Sequence, residues 1–213
     1  WESMKDLQLI SYDKNALKTL EMLLKKHKPE LIYERTSYIQ NSGVNVAKKY
    51  NIYHISEING PYTEQRQYLK GKSFLLQKAH KTEYQKLHNT DKIVTVSNAL
   101  AKHLSKAYSI TEDKFIVTHD AINPAEIKIN RNKINELNQK HQLQNNNVIG
   151  FVGSIFPWHG LDILIKSFLK ICDKHSDVKL LIVGDGEILP YIKKEYVKPS
   201  LYSERIIFTG SVS

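Results

Sequence analysis

The sequence predicts an α/β protein made of two parallel-sheet domains. Two observations carry that expectation. Short β-branched runs alternate with helix-spaced stretches along the 213 residues, and one polar, asparagine-rich segment interrupts the alternation. Strand, helix, strand, repeated, means parallel sheets covered on both faces.

In chain order the strands are LIYER (31–35), IYHISEI (52–58), KIVTVS (92–97) and KFIVTH (114–119), then VIGFVG (148–153), VKLLIVG (178–184) and RIIFTG (205–210). Helical spacing covers 16–26, 42–50, 65–87, 98–106 and 161–173. Pro29, after KKHK, ends the first helix before LIYER begins. Ser97 stands between a strand and Asn98-Ala99, as an N-cap or as a ligand contact. Leu161, Leu164, Ile165, Phe168 and Cys172 fall on one stripe that faces the sheet.

Between residues 124 and 147 the chain turns polar, INRNKINELNQKHQLQNNN, without a strand signal. It reads as a linker, with one helix near 133–141, that separates a domain at 1–123 from one at 148–213. A cleft between two such domains is a usual place for a ligand. The first residue is Trp1, and FTGSVS stops where a strand-to-helix turn would continue. Both domains are therefore expected to be truncated.

Composition excludes several classes. At 41% apolar the chain has enough material for real cores. Cys172 is the one cysteine, so no internal disulfide or thiolate cluster forms, and a small buried residue in a cytoplasmic protein is the expectation. No apolar run approaches the ~20 residues that span a bilayer. The net charge of +9 is spread, with nineteen basic against thirteen acidic residues over 1–124 and twelve against nine beyond. No dedicated nucleic-acid patch is indicated, and no aromatic-basic interleaving supports base stacking. His80, His88, Lys78, Lys81 and Lys86 decorate one helix, as a solvated face or as a contact with an anionic membrane.

Three turns of the second domain follow strands: Gly153-Ser154 with His159-Gly160, Gly184-Asp185-Gly186, and Gly210-Ser211-Val212. All three belong at the carboxyl ends of parallel strands, where open α/β sheets bind ligands. Glycine admits close approach of a ligand to the backbone, and a following helix aims N–H groups and a partial positive charge at the same spot. His159 reads as a phosphate donor or as a surface turn residue, and Trp158 as packing or as a base-stacking ring. Neither GxGxxG nor GxxxxGK[ST] is present, which disfavours dinucleotide oxidoreductases and P-loop NTPases.

In the first domain Glu57 and Asn59 follow a strand and share one side of it, as hydroxyl-binding groups or as a polar turn. Glu34-Arg35 is a further candidate, or a local ion pair. The histidines lie singly, without HExxH or CxxC, Asp120 and Asp185 are isolated, and no GxSxG elbow appears. No metal, cofactor or nucleophile is therefore expected.

These residues resemble the family 4 glycosyltransferases of GT-B fold. VIGFVGSIFPWHGLDILIKSF, VKLLIVGDGE and RIIFTGSVS are similar to the front half of the donor-binding domain. KPELIYER, ISEINGPYTEQ and DKIVTVSNALAKHLSK…KFIVTHDAINP are similar to the later part of the acceptor domain. The resemblance implies two Rossmann-like domains and retaining sugar transfer from a UDP- or GDP-sugar to a glycan or lipid-linked acceptor in cell-surface polysaccharide or glycoconjugate synthesis. The expected location is cytoplasmic, with the inner membrane face as the alternative.

By the resemblance, Gly153, Ser154, His159 and Gly160 hold the diphosphate, while Gly184, Asp185, Gly186, Gly210 and Val212 approach the nucleoside. Glu57 and Asn59 are the candidate catalytic residues. The chain departs from the family at Ser154 and His159, where Arg and Lys are common, and at His119-Asp120-Ala121-Ile122-Asn123, where Pro-Asn-Gly-Val-Asp is common. Glu57 and Asn59 occupy the neighbourhood of the family's strand-end histidine. The glycine-rich N-terminal loop and the later Glu-x7-Glu segment are not in this sequence, so the chain alone is not expected to transfer sugar. The rival reading is a non-catalytic nucleotide- or glycan-binding module.

Overall fold

The structure is a computed structural model that describes residues 2–71 and 74–212, except for the side chains of residues 2, 3, 69 and 70. Two units divide the chain, Trp1–Asn123 and Pro124–Ser213.

The first unit runs α1 (Glu2–His27), β1 (Leu31–Arg35), α2 (Ser42–Tyr50), β2 (Tyr53–Ile58), α3 (Tyr62–Lys70), α4 (Leu76–Asn89), β3 (Lys92–Thr95), α5 (Asn98–Tyr108) and β4 (Phe115–Val117). Its strands are parallel and lie side by side in chain order. Ile58, Leu87, Ile93, Leu104, Tyr108 and Ile110 form the core against α4 and α5. Along β2 the two-residue period buries His54, Ser56 and Ile58 and turns Ile55 and Glu57 to the more open face.

Where one helix was expected over 65–87, α3 and α4 are separate. Gly71 ends α3 at φ 68° and returns its N–H to the Gln67 carbonyl. The apolar spacing continues past the break in the sequence, but a left-handed residue cannot continue a right-handed helix.

Two helices of this unit are capped differently. Ser97 Oγ accepts the Leu100 N–H at 3.2 Å, which caps α5. The N-cap residue of α2, Asn41, makes no such bond. Instead Asp13 of α1 takes the Asn41 and Ser42 N–H groups, each at 3.0 Å. That carboxylate satisfies two orphan donors at the positive end of α2.

The interior of the first unit is unusually polar. Lys86 of α4 is 3% exposed and donates Nζ to the Ser37 carbonyl at 2.7 Å. Burial pushes its ammonium pKa down, while the Glu34, Glu83 and Asp13 carboxylates oppose that shift. His54 lies between Thr90 Oγ1 at 2.8 Å and Glu34 Oε2 at 3.1 Å. Asp13 and Lys86 thus hold the β1–α2 loop from two sides. Within it Ile39 is buried at φ 58°, a conformation that β-branched residues rarely adopt.

The second unit runs α6 (Arg131–Lys140), β5 (Asn147–Val152), a 3-10 turn (Pro157–His159), α7 (Leu161–Cys172), β6 (Val178–Val183), α8 (Leu189–Ile192) continuing into a π-helical turn (Lys193–Val197), and β7 (Ile206–Gly210). Residues 124–147, read in the sequence as a linker, group with this unit and carry α6. Strands β5, β6 and β7 are parallel, in that order. Leu161, Ile165, Phe168 and Cys172 on α7 pack with Leu180 and Ile182 of β6 in one core.

At the carboxyl ends of these strands the loops interlock through backbone. Gly153 N–H donates to Val183 O at 3.0 Å, Ile155 N–H to Asp185 O at 2.9 Å, and Gly184 N–H to Gly210 O at 2.9 Å. A Cβ on Gly184 would fall 1.9 Å from the Gly153 oxygen, and one on Gly186 would fall 2.2 Å from the Ile155 oxygen. Only glycine fits at either position.

Urea unfolding should show Gly184→Ala losing more than about 2 kcal/mol, since backbone rather than a flexible side chain must move. Gly210→Ala is expected to lose about 1 kcal/mol from its left-handed φ alone, because nothing lies within 4 Å of the added carbon. Lys86→Ala should cost the first unit about 2–3 kcal/mol by leaving Ser37 O unpaired and removing the cation beside the buried Glu83 and the half-buried Glu34 and Asp13. Thermal melts that place Lys86→Ala level with an exposed Lys106→Ala would contradict this account of the polar interior.

Candidate functional site

The sequence-predicted residues fall into two places, one in each unit. In the second, a cavity of about 250 Å³ opens at the carboxyl ends of β5, β6 and β7, lined by Val152, Gly153, Ser154, Val183, Gly184, Asp185, Ser211 and Val212. Five of the nine residues proposed for nucleotide-sugar binding line it: Gly153, Ser154, Gly184, Asp185 and Val212. Gly186 and Gly210 are chain neighbours of lining residues, and His159 and Gly160 lie outside the lining. Val152 and Val183 are lining residues that the sequence reading passed over, because it followed the glycine turns beyond the strands rather than the last strand residues, while Ser211 lies in the Gly210–Val212 turn that it singled out.

Gly153 is the glycine whose missing side chain leaves room. A Cβ there would meet only the Phe151 ring tip, at 3.9 Å. Gly184 and Gly186 are glycine for a different reason, since the neighbouring loop occupies the space a side chain would need. At those two positions backbone packing by itself requires glycine, whereas at Gly210 nothing lies within 4 Å. Asp185 is committed locally, its Oδ1 accepting the Gly186 N–H at 2.7 Å.

The Pro-Trp-His-Gly corner is solvent-facing, with Trp158 43% exposed and stacked on Phe156 at 4.9 Å between centroids. His159 Nδ1 hydrogen-bonds the Ser154 carbonyl, which ties the corner to the end of β5. With the Nδ1 proton given to a carbonyl, Nε2 faces outward as an acceptor on the neutral ring and as a donor on the charged one. Gly160, at φ 66°, leads into α7, whose first turn has no side-chain cap. Asp162 in that turn opposes an anion, but Lys166 pairs with it at 3.3 Å.

In the first unit Glu57 lies in β2 and Asn59 just past its end, and register sets Arg35 of β1 beside Glu57. Asn59 Nδ2 donates to Glu57 Oε1 at 3.0 Å, and Tyr33 Oη donates to Glu57 Oε2 at 2.8 Å. Arg35 Nε lies 3.6 Å from Oε1. The Tyr33 and Asn59 bonds hold the Glu57 carboxyl below the usual carboxylate range, with Arg35 adding to the effect. Tyr33 was not anticipated. Its place two residues before Arg35 puts both on one strand face, but only the pairing register brings that face to Glu57. Glu34, the other half of the Glu34-Arg35 candidate, points the opposite way and packs on His54 and Gly43.

Among the described residues no group of three or more His, Cys, Asp and Glu could hold a metal ion. No helix among them is long and apolar enough to cross a membrane.

Two family profiles match the chain: Glycosyltransferase Family 4 over residues 5–126 and Glycosyl transferases group 1 over residues 133–213. The uncharacterized glycosyltransferase MJ1607 of Methanocaldococcus jannaschii is 27% identical over 137 residues, 63% of this chain and 35% of that protein. The capsular polysaccharide biosynthesis glycosyltransferase CapM of Staphylococcus aureus is 33% identical over 100 residues, 45% of this chain and 26% of that one. The crystal structure of Anabaena Alr3699/HepE with UDP superposes with a TM-score of 0.65 at 19% identity, covering 97% of this chain and 53% of that chain. This chain therefore spans about a third of MJ1607 and about half of HepE. The two parallel sheets and the HepE likeness identify the fold as GT-B. With a profile that covers more than half of its residues, the chain belongs to glycosyltransferase family 4, group 1.

Proposed function

We propose that the protein is part of a retaining glycosyltransferase of hexosyl type. It moves a sugar from a nucleotide-diphosphate sugar to a hydroxyl of a glycan or lipid-linked acceptor in polysaccharide or glycoconjugate synthesis. The observation that carries this reading is the cavity at the ends of β5, β6 and β7, lined by open backbone at Gly153 and by Ser154, whose carbonyl holds the His159 ring. The family membership supports it, as do solved complexes of HepE with UDP and with UDP-glucose, and the capsular polysaccharide role in CapM's name. UDP-sugar is the favoured donor and GDP-sugar the alternative. The reaction is placed in the cytoplasm, at the inner membrane face where the acceptor is lipid-linked.

In this reading negative charge develops on the departing nucleoside diphosphate. Preorganised donors aimed at that charge lower the barrier because they need no reorganisation as the bond breaks. Ser154 offers a hydroxyl and its N–H, the His159 ring offers Nε2, and the uncapped first turn of α7 offers N–H groups and the positive end of its dipole. These donors do the work that Arg and Lys do in many family members, and the chemistry asks for no metal held by these loops. The Gly184–Gly186 and Gly210–Val212 loops shape the nucleoside side. Glu57 and Asn59 bind hydroxyl groups of donor or acceptor.

A thermal-shift panel of UDP-, GDP-, ADP- and CMP-sugars tests the reading. A matching donor at a hundred times its Kd should add about 2.7 kcal/mol of stability. His159→Ala should weaken that donor about tenfold while lowering the unliganded melting point only slightly, since the ring and its bond to the Ser154 carbonyl are exposed. No response to any nucleotide sugar, from the full-length protein as well as this chain, would overturn the assignment. Binding by the full-length protein without turnover on any acceptor would favour the non-catalytic module.

A further inference from the structure

Glu57 differs from an ordinary surface carboxylate in having both oxygens engaged before any ligand arrives. Oε2 accepts the Tyr33 hydroxyl at 2.8 Å, and Oε1 accepts the Asn59 amide at 3.0 Å with Arg35 Nε 3.6 Å away. Tyr33 and Arg35 reach it from β1, and Asn59 from its own segment. They are the charged and polar partners that face it from β1 and β2. Asn59 Oδ1 has no hydrogen-bond partner among the described residues, so the orientation of that amide rests on its bond to Glu57.

Each carboxylate oxygen has two lone pairs. One bond to each leaves one acceptor site free on each, in a plane held by the Tyr33 and Asn59 side chains. We propose that Tyr33 is a positioning residue for Glu57, its hydroxyl clamping Oε2 so that the carboxylate meets a substrate hydroxyl as a fixed acceptor. This rests on the assignment of Glu57 to hydroxyl binding. It goes further by giving Glu57 the part of an ionised acceptor rather than a proton donor, and by naming the group that keeps it so. Tyr33 shows the reciprocal effect: loss of water around its hydroxyl and then the Glu57 bond push its phenol above the ordinary range. A shared proton that stays on the phenol is the consistent description.

The test uses Tyr33→Phe, which keeps the ring and removes the hydroxyl. In the chain labelled with carboxyl-13C glutamate, the Glu57 midpoint should rise in this variant while the other glutamates titrate as before, because the ionised form has lost a donor. In the full-length protein, with UDP-glucose as donor, Tyr33→Phe should lower kcat/KM about three- to tenfold, the size of one ordinary solvent-accessible hydrogen bond. The acid limb of its pH profile should move to higher pH in step with the midpoint. A Glu57 midpoint unmoved by Tyr33→Phe overturns the positioning role. If the midpoint moves but Glu57→Gln transfers at the wild-type rate, the assignment of Glu57 itself fails, and the role of Tyr33 fails with it.

Discussion

The carboxyl end of the second unit's sheet depends on one constraint, the contact of backbone with backbone between the loops that follow β5 and β6. Carbonyl oxygens of Gly153 and Ile155 sit where side chains at 184 and 186 would otherwise be. The amide bonds Ile155 to Asp185 and Gly184 to Gly210 then lock three strand ends together. Because a peptide plane has no rotamers to yield, the positions of Ser154, Asp185 and Ser211 around the cavity follow from this contact.

The first unit is organised by a different principle. Its sheet buries charge as well as apolar surface, with Lys86, Glu83 and His54 each below a tenth exposed and each bonded. Buried ion pairs add little net stability, since desolvation offsets most of the attraction. They do penalise wrong arrangements, because any shift in packing strands a charge. The open face of the same sheet carries Tyr33, Arg35 and Glu57, so the strand period alone separates the structural polar network from the accessible one.

Much of this was legible in the sequence. The parallel α/β class, the order of strands and helices, the Ser97 position and the stripe on α7 all follow from periodicity and local chemistry. The break at Gly71 did not, because the apolar spacing of Leu69, Leu76, Ala79 and Leu87 runs through it undisturbed. Nor could the sequence distinguish the glycines. Gly153 and Gly184 look alike as letters at strand ends, and only the distance to a neighbouring carbonyl tells open space from crowded space. The Tyr33–Glu57 bond was hidden for a related reason, since a cross-strand partner depends on register, and register is a property of two segments at once.

The β1–α2 corner carries a consequence of its own. Ile39 is held at φ 58° while Lys86 anchors Ser37 and Asp13 anchors Asn41 and Ser42. Conformational freedom that a surface loop ordinarily surrenders when it meets a ligand is, in this corner, already gone once the chain has folded. A molecule arriving at the carboxyl end of β1 thus encounters a preset edge, and its affinity is set by fit rather than by how much disorder it must first remove.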